Sequence, residues 1–123
     1  MLKEINRQLD TLYRAYGDRG EIRIWTHIYI EGDPVNFIFS QEDNKYSRLT
    51  TPPVFAEWMA ACTGNWRKAA PAIEKLAASY GVAWDNENGA LYLRFRRNET
   101  SIAEAVIRLH QAVAVVSAIG NVQ

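Results

Sequence analysis

Residues 21–40, EIRIWTHIYIEGDPVNFIFS, carry the clearest structural pattern in the chain, because apolar side chains alternate with polar and aromatic ones on both sides of a central turn. A period of two is typical of a β-strand with one buried face. The apolar set of the first half is Ile22, Ile24, Ile28 and Ile30. Pairing Ile30 with Val35 across the EGDP turn brings Ile28 opposite Phe37, so both apolar sets fall on one face. The sequence therefore predicts a β-hairpin, and KYSRLT after the QEDN turn predicts a third strand.

The segments on either side of this meander have the residue spacing of helices. Residues 2–16 place apolar side chains at intervals of three and four, which predicts one helix ended by GDRG. The stripe consists of Leu2, Ile5, Leu9, Leu12 and Tyr16. After the meander, Thr51 is predicted to cap a helix over VFAEWMAAC. PAIEKLAASY predicts another helix, which begins at Pro71 and ends at Gly81. We expect Pro71 to prevent an unbroken helix from 66 to 80.

The C-terminal third predicts a second hairpin and a long final helix. VAW and ALYLRF would pair across DNENG, with Trp84 opposite Leu93, and Ser101 with Glu104 forms a capping box. The element order is therefore αβββααββα. This order predicts an α+β fold in a single domain, residues 1–123, with helices packed mainly on one face of a largely antiparallel sheet.

Composition and charge narrow the compartment and the partners. The chain has 123 residues and equal numbers of basic and acidic side chains, 14 of each, so no overall charge attracts nucleic acid or anionic lipid. The single Cys62 excludes an intrachain disulfide. The start, MLKEINRQLD, carries charges where a signal peptide is apolar, and the longest apolar run, AVAVV at 112–116, is too short to span a bilayer. We expect a cytoplasmic protein that does not bind a membrane.

The stretch RFRR at 94–97 leaves two interpretations open. The second hairpin places Phe95 in the core and Arg94 and Arg96 on the outward face, which by itself is typical of a solvated strand face. Together with the first strand, however, the outward side chains would form an aromatic and basic surface suited to a protein partner. The predicted partner-binding residues are Trp25, His27, Tyr29, Tyr92, Arg94 and Arg96. Trp58 and Trp66 are alternative contacts if they are exposed rather than buried.

The same surface could instead bind single-stranded nucleic acid, since aromatic rings stack on bases and arginines hold phosphates. The arginines for that alternative are Arg23, Arg94, Arg96 and Arg97. Zero net charge favours the protein partner.

No constellation of residues predicts a reaction. Asp33 with Asp43-Asn44-Lys45 imitates a metal-dependent nuclease motif, but the intervening strand would hold the two carboxylates about 20 Å apart. His27, His110 and Cys62 lack the spacing of a metal site or of a cysteine nucleophile. We therefore expect a protein without catalytic residues, metal or cofactor.

The end of the final helix, AVAVVSAI, is apolar nearly all round. Such a segment is either central in the core, the more common case, or packed on a second copy of the chain. The second alternative predicts a homodimer through Val113, Val116 and Ile119.

The order of elements and several motifs resemble a bacterial and phage family known as a domain of unknown function and numbered eighteen twenty-eight. The motifs are IWTHIYIEGDPVNFIF, YSRLTT, YGV followed by GALYL, and LHQAVAVVSAI, which together extend over nearly the whole chain. The resemblance implies a small intracellular α+β domain of phages and mobile elements with no established activity. By analogy, it implies a protein that blocks a host defence protein such as a CRISPR effector. The family's Asp and Gly after RLT are replaced here by Thr51, Pro52 and Pro53.

Overall fold

The alternating segment forms the middle of a sheet to which both halves of the chain add strands. The structure, a computed structural model, describes residues 1–9 and 13–122, with side chains up to Ile119. The described residues form helices α1 (Leu2–Gln8), α2 (Pro53–Thr63), α3 (Trp66–Ala78) and α4 (Ile102–Val122), and strands β1 (Arg14–Asp18), β2 (Glu21–Trp25), β3 (Tyr29–Ile30), β4 (Asp33–Pro34), β5 (Phe37–Gln41), β6 (Tyr46–Thr50), β7 (Ala83–Asp85) and β8 (Ala90–Arg96). The predicted α+β class is confirmed.

Six strands form one antiparallel sheet in the order β1-β2-β5-β6-β8-β7, while β3 and β4 form a separate two-stranded ribbon. Alternate side chains of the large sheet are buried, as at Ile24, Phe37 and Leu49. All four helices contribute buried residues to the same core, for example Ile5 of α1 and Ile73 of α3. The inward side of the sheet is therefore sealed, whereas the outward side chains are half-buried or exposed, and the start of α2 borders them beside Ile38 and Thr50.

The first helix is shorter than the sequence predicted. It ends at Gln8, and residues 14–18 form β1, which pairs with β2 across Arg19 and Gly20. Both turn residues have a positive φ, 51° and 82°, the geometry of a two-residue hairpin turn that matches strand twist. GDRG thus turns a hairpin instead of ending a helix, and Tyr16 belongs to the outward side of the sheet. Leu12 of the predicted stripe lies outside the described residues.

The predicted strand over residues 21–30 is also interrupted. Buried Thr26 donates its hydroxyl to Val35 O at 2.8 Å and accepts from Ile28 N at 3.1 Å, and His27 has a φ of 62°. The hairpin register differs accordingly, because Phe37 pairs with Ile24 instead of Ile28. The predicted pairing of Ile30 with Val35 is wrong as well, since Ile30 pairs with Asp33 around the tight turn at Glu31-Gly32.

Slips of this kind have less effect in the second hairpin. Trp84 pairs with Leu91, two residues from the predicted Leu93, because Asp85 pairs with Ala90 and the turn consists of the four residues 86–89. A two-residue slip keeps every side chain on its face. Phe95 is buried, as predicted, together with Leu93 and Trp84, and Arg94 stays outward.

Two expectations about the helices are wrong. Pro71 lies inside α3, which runs from Trp66 to Ala78. The helix begins at Trp66 because the Asn65 side chain accepts from Arg67 N at 3.0 Å and caps the first turn. Thr51 does not cap α2, since its buried side chain bonds to β8 and Pro52 is the N-cap residue. The capping box of α4 is confirmed, with Glu104 N donating to Ser101 Oγ at 3.1 Å.

Helix α4 lies across the sheet and supplies much of the core. By length and composition alone its segment 102–119, with a mean hydropathy of 1.5, could cross a membrane. Here its inner stripe is buried against the sheet and α3, with Leu109, Val113 and Val116 almost fully enclosed. This burial corresponds to the central position that the sequence left as one of two alternatives.

Candidate functional site on the outward face of the sheet

The outward face of the six-stranded sheet, called the open face below, is a layer of aromatic and arginine side chains. One row of partners crosses all six strands: Tyr16, Arg23, Ile38, Thr50, Tyr92 and Ala83. A second row places Arg48 beside Arg94, and Tyr46 lies beside Arg96. At the opposite end Trp25 neighbours Arg14 and is 40% exposed. Strand alternation is the reason these side chains share one surface.

Two arginines of the open face stack on tyrosine rings. The Arg94 guanidinium lies 3.8 Å from the centre of the Tyr46 ring, and that of Arg48 lies 4.0 Å from the Tyr92 ring. Glu42 joins the two, because its carboxylate is 2.5 Å from Arg94 Nε and 4.0 Å from Arg48 Nη1. The hydrogen bond that Arg94 donates to Glu42 raises the pKa of Arg94 above its usual value. The five side chains form an arginine–tyrosine cluster with fixed planes and a partly neutralised charge.

The other two arginines of RFRR have different environments. Arg96 is half-buried beside Tyr46, with Nη1 at 3.5 Å from Glu99 Oε1. Arg97 turns away from the open face. It donates to Tyr46 O at 2.9 Å, to buried Ser47 Oγ at 2.8 Å and to Asp43 O at 2.7 Å. Arg97 therefore holds the turn between β5 and β6, and its guanidinium is bonded there and not stacked with the arginine–tyrosine cluster.

The far end of the open face holds an aromatic cleft, the tryptophan cleft, of about 340 Å³ that is lined by Arg14, Tyr16, Trp25 and Asn36. The His27 ring lies 4.1 Å from the Trp25 ring centre at 35°. The sequence predicted that strand alternation places His27 on this face. In the structure His27 lies outside the strand and reaches this position with a positive φ. Tyr29, 57% exposed, belongs to the separate β3–β4 ribbon. Trp25 and His27 are brought together, while Tyr92, Arg94 and Arg96 form a second group across the sheet.

The arginines predicted for nucleic acid are not assembled into a phosphate track. Arg23 lies three strands from Arg94, about 14 Å at the usual strand spacing. It pairs with Asp18 at 3.6 Å and with Glu21 at 3.0 Å. Each outward arginine of that set thus has an acidic partner, which lowers the local positive potential.

Residues considered for catalysis also have structural roles. The Asp43 carboxylate accepts from Lys45 N and Tyr46 N, both at 2.7 Å, and these bonds hold the pKa of Asp43 below its usual value. His110 is half-buried, with Nδ1 hydrogen-bonded to Tyr13 Oη at 2.8 Å, and burial lowers the pKa of His110. Cys62 is half-buried on α2 and packs against the core. Within residues 1–9 and 13–122, no three His, Cys, Asp or Glu side chains could hold a metal ion.

The alternative contact residues of the sequence analysis lie largely inside. Trp58 is buried in the core, and half-buried Trp66 donates its indole N–H to Asn86 O at 2.9 Å. Val113 and Val116 of the predicted homodimer seam are buried within the chain, and Ile119 is half-buried against the core. These side chains leave little surface for a second copy.

Sequence reasoning missed several residues of the open face. Tyr46 and Arg48 alternate with buried Ser47 and Leu49 in a strand that was predicted, so the same alternation could have identified them. Arg14 and Tyr16 were hidden by the helical interpretation of residues 2–16. Glu42 carries no sequence signal, because its position between two arginines depends on the tertiary pairing of β6 with β8.

Comparison with known proteins adds no relative. No family model matches the sequence, and no curated protein or solved structure matches the chain.

Proposed function

We propose that this protein acts by binding another protein through the open face of its sheet, without catalysing a reaction. The observation that carries the proposal is the exposed aromatic group at one end of that face. Trp25 is 40% exposed and stacked with His27, and Tyr29, on the β3–β4 ribbon that follows, is 57% exposed. Exposed tryptophan, tyrosine and arginine are the residue types that dominate binding energy at protein interfaces.

The arginine–tyrosine cluster supports the same proposal. Stacking on Tyr46 and Tyr92 and pairing with Glu42 fix Arg94 and Arg48 before a partner arrives. Fixed side chains lose little conformational entropy on binding. Trp25 lies on the same sheet as this cluster, so a single partner surface could contact both.

Binding of single-stranded nucleic acid is the second candidate, favoured by the stacked aromatic and guanidinium planes. Its weakness is charge, since Arg23, Arg94 and Arg96 each have a carboxylate within 3.6 Å. A more specific role, that of a mobile-element protein which blocks a host defence protein such as a CRISPR effector in the cytoplasm, is supported by the sequence resemblance alone.

Site-specific photo-crosslinking in extract of the native host tests the proposal. A photoreactive phenylalanine analogue replaces Trp25 or Tyr29 in one pair of samples, and Ala72, exposed on α3, in the control. We expect a protein adduct from the open face and none from Ala72. The proposal is overturned if all positions give the same adducts, or if nuclease treatment removes them.

A salt titration of the captured complex separates the two candidates. Binding to phosphates weakens by orders of magnitude between about 50 and about 200 mM salt, whereas an aromatic-centred protein contact changes little. Capture that disappears over this range would favour nucleic acid.

A further inference from the structure

The tryptophan cleft has a chemical bias that identifies the kind of segment it would take. Two of its four lining residues, Trp25 and Tyr16, are aromatic, and its volume of about 340 Å³ is at the small end for a ligand site, which spans about 300–1,000 Å³. A site of that size on an open sheet suits one apolar side chain of a larger partner better than a whole cofactor.

Most of the hydrogen-bonding capacity that remains available in the cleft consists of donors. The Tyr16 hydroxyl accepts from Asn36 Nδ2 at 3.0 Å, so its own O–H can donate outward. Asn36 Oδ1 already accepts from Thr26 N at 3.4 Å. Arg14 adds five N–H donors at the rim. The free N–H groups of Arg14 and the Tyr16 O–H outnumber the remaining acceptor positions on Tyr16 Oη and Asn36 Oδ1, which favours a ligand that carries oxygen acceptors.

Among the described residues, Arg14 also differs from the other arginines of the open face in its lack of an acidic partner. Arg23, Arg48, Arg94 and Arg96 each lie within 4.0 Å of a carboxylate. In the part of the chain that the structure describes, Arg14 is exposed and has no acidic partner. The positive charge at the rim of the cleft is therefore available to an incoming carboxylate.

We infer that the tryptophan cleft binds an acidic peptide segment of the partner protein, with an apolar side chain between Trp25 and Tyr16 and an adjacent Asp or Glu carboxylate on Arg14. This inference rests on the proposed function and names the partner's chemistry. The guanidinium can bind the carboxylate through two parallel N–H donors, which fixes the direction of the peptide.

Two peptides that differ in one group test the inference. The probes are the amidated and acetylated hexapeptides Gly-Ser-Phe-Glu-Ser-Gly and Gly-Ser-Phe-Gln-Ser-Gly, titrated into isotope-labelled full-length protein and followed by NMR. We expect the Glu peptide to shift the Trp25 indole and Arg14 side-chain signals and to bind about fivefold more tightly than the Gln peptide.

Variants assign the preference to Arg14. Arg14→Gln should remove the difference between the peptides, whereas Arg48→Gln, a matched arginine on the same face, should keep it. Trp25→Ala should weaken both peptides alike. The inference is overturned if wild type binds the two peptides equally, if the preference survives in R14Q, or if neither peptide shifts the Trp25 signal at its solubility limit.

Competing occupants give different outcomes in the same experiment. Oligothymidine or unlabelled protein that shifts the Trp25 and Arg14 signals at lower concentration than the Glu peptide would overturn the inference in favour of nucleic acid or a second copy. A host protein that crosslinks at Trp25 while the peptides bind equally would sink this inference and leave the proposed function standing. If wild type prefers the Glu peptide but no host protein crosslinks at Trp25, the proposed function is overturned and the preference of the cleft for an acidic peptide stands.

Discussion

Asn6 bonds both backbone groups of Ala15 through one side-chain amide. Its Nδ2 donates to Ala15 O at 3.0 Å, and Ala15 N donates to its Oδ1 at 2.6 Å. Because β1 is an edge strand of the sheet, these groups are where a further strand would pair. The carboxamide of Asn6 thus occupies the pairing position, and helix α1 closes this edge of the sheet.

We expect Asn6→Ala to lower the free energy of unfolding by about 1–3 kcal/mol, because it leaves an N–H and a C=O at a part-buried edge without partners. Loss of the Asn6 carboxamide from the edge of β1 should also allow strand pairing between copies. Light scattering after size exclusion would detect this pairing as concentration-dependent association. Arg7→Ala, an exposed change on the same helix, is the control. Equal stability and equal mass for the two variants would show that Asn6 does not seal the edge.

The same region shows why the sequence predicted only part of the fold. The spacing of Leu2, Ile5 and Leu9 is helical in the sequence, and the structure places these residues on or just after α1. The continuation to Tyr16 was wrong because short apolar patterns fit more than one period, and the turn at Arg19 that decides for a hairpin requires a positive φ in a residue other than glycine.

The sequence predicted which side chains point outward on the open face better than it predicted their ion pairs. Alternation alone places Trp25, Tyr92 and Arg94 outward, and a register slip of two residues does not change that. The pairings that set local charge depend on contacts distant in sequence, as between Glu42 and Arg94. The bonds of Arg97 could not be predicted either, because its three acceptors lie more than forty residues away in the sequence.

Gly89 combines a conformational requirement with close packing. Its φ is 66°, and an added Cβ would lie 3.0 Å from Ala56 Cβ and 3.2 Å from the Trp66 ring. Gly20 has a φ of 82° with nothing within 4 Å of an added Cβ, so it isolates the backbone cost. We expect Gly20→Ala to cost about 1–2 kcal/mol and Gly89→Ala about 1–3 kcal/mol more, measured by urea unfolding.

A change in Trp66 fluorescence should accompany Gly89→Ala only, because the ring must move to make room. Equal costs for the two variants would mean that the contact with Trp66 relaxes freely.

Thr51 links the end of β6 to β8 inside the core. Its Oγ1 accepts from Leu91 N at 3.0 Å, and its own N donates to Leu91 O at 2.9 Å. Thr51→Val keeps the volume and leaves Leu91 N without an acceptor, so we expect a loss of about 1–3 kcal/mol in urea unfolding. Thr51→Ser keeps the acceptor and should cost about 1 kcal/mol for the lost methyl group. A valine variant more stable than the serine variant would show that apolar burial outweighs the hydrogen bond here.

His110 gives stability a dependence on pH near neutrality. Burial lowers its pKa from 6.5, so the unfolded chain takes up the proton first as the pH falls. The contribution of neutral His110 to the free energy of unfolding is therefore fully present above pH 6.5. This contribution is lost as the pH falls from 6.5 through the folded-state pKa. Asp43 and Asp85 have pKa values lowered from 3.8, so they change the free energy of unfolding only at pH values near and below 3.8, outside this window. We expect the thermal midpoint of wild type to fall between about pH 7.5 and about pH 5.5 more than that of His110→Gln. His27→Gln, which replaces the exposed histidine, should retain the wild-type dependence, and parallel curves for all three proteins would rule out His110 as its source.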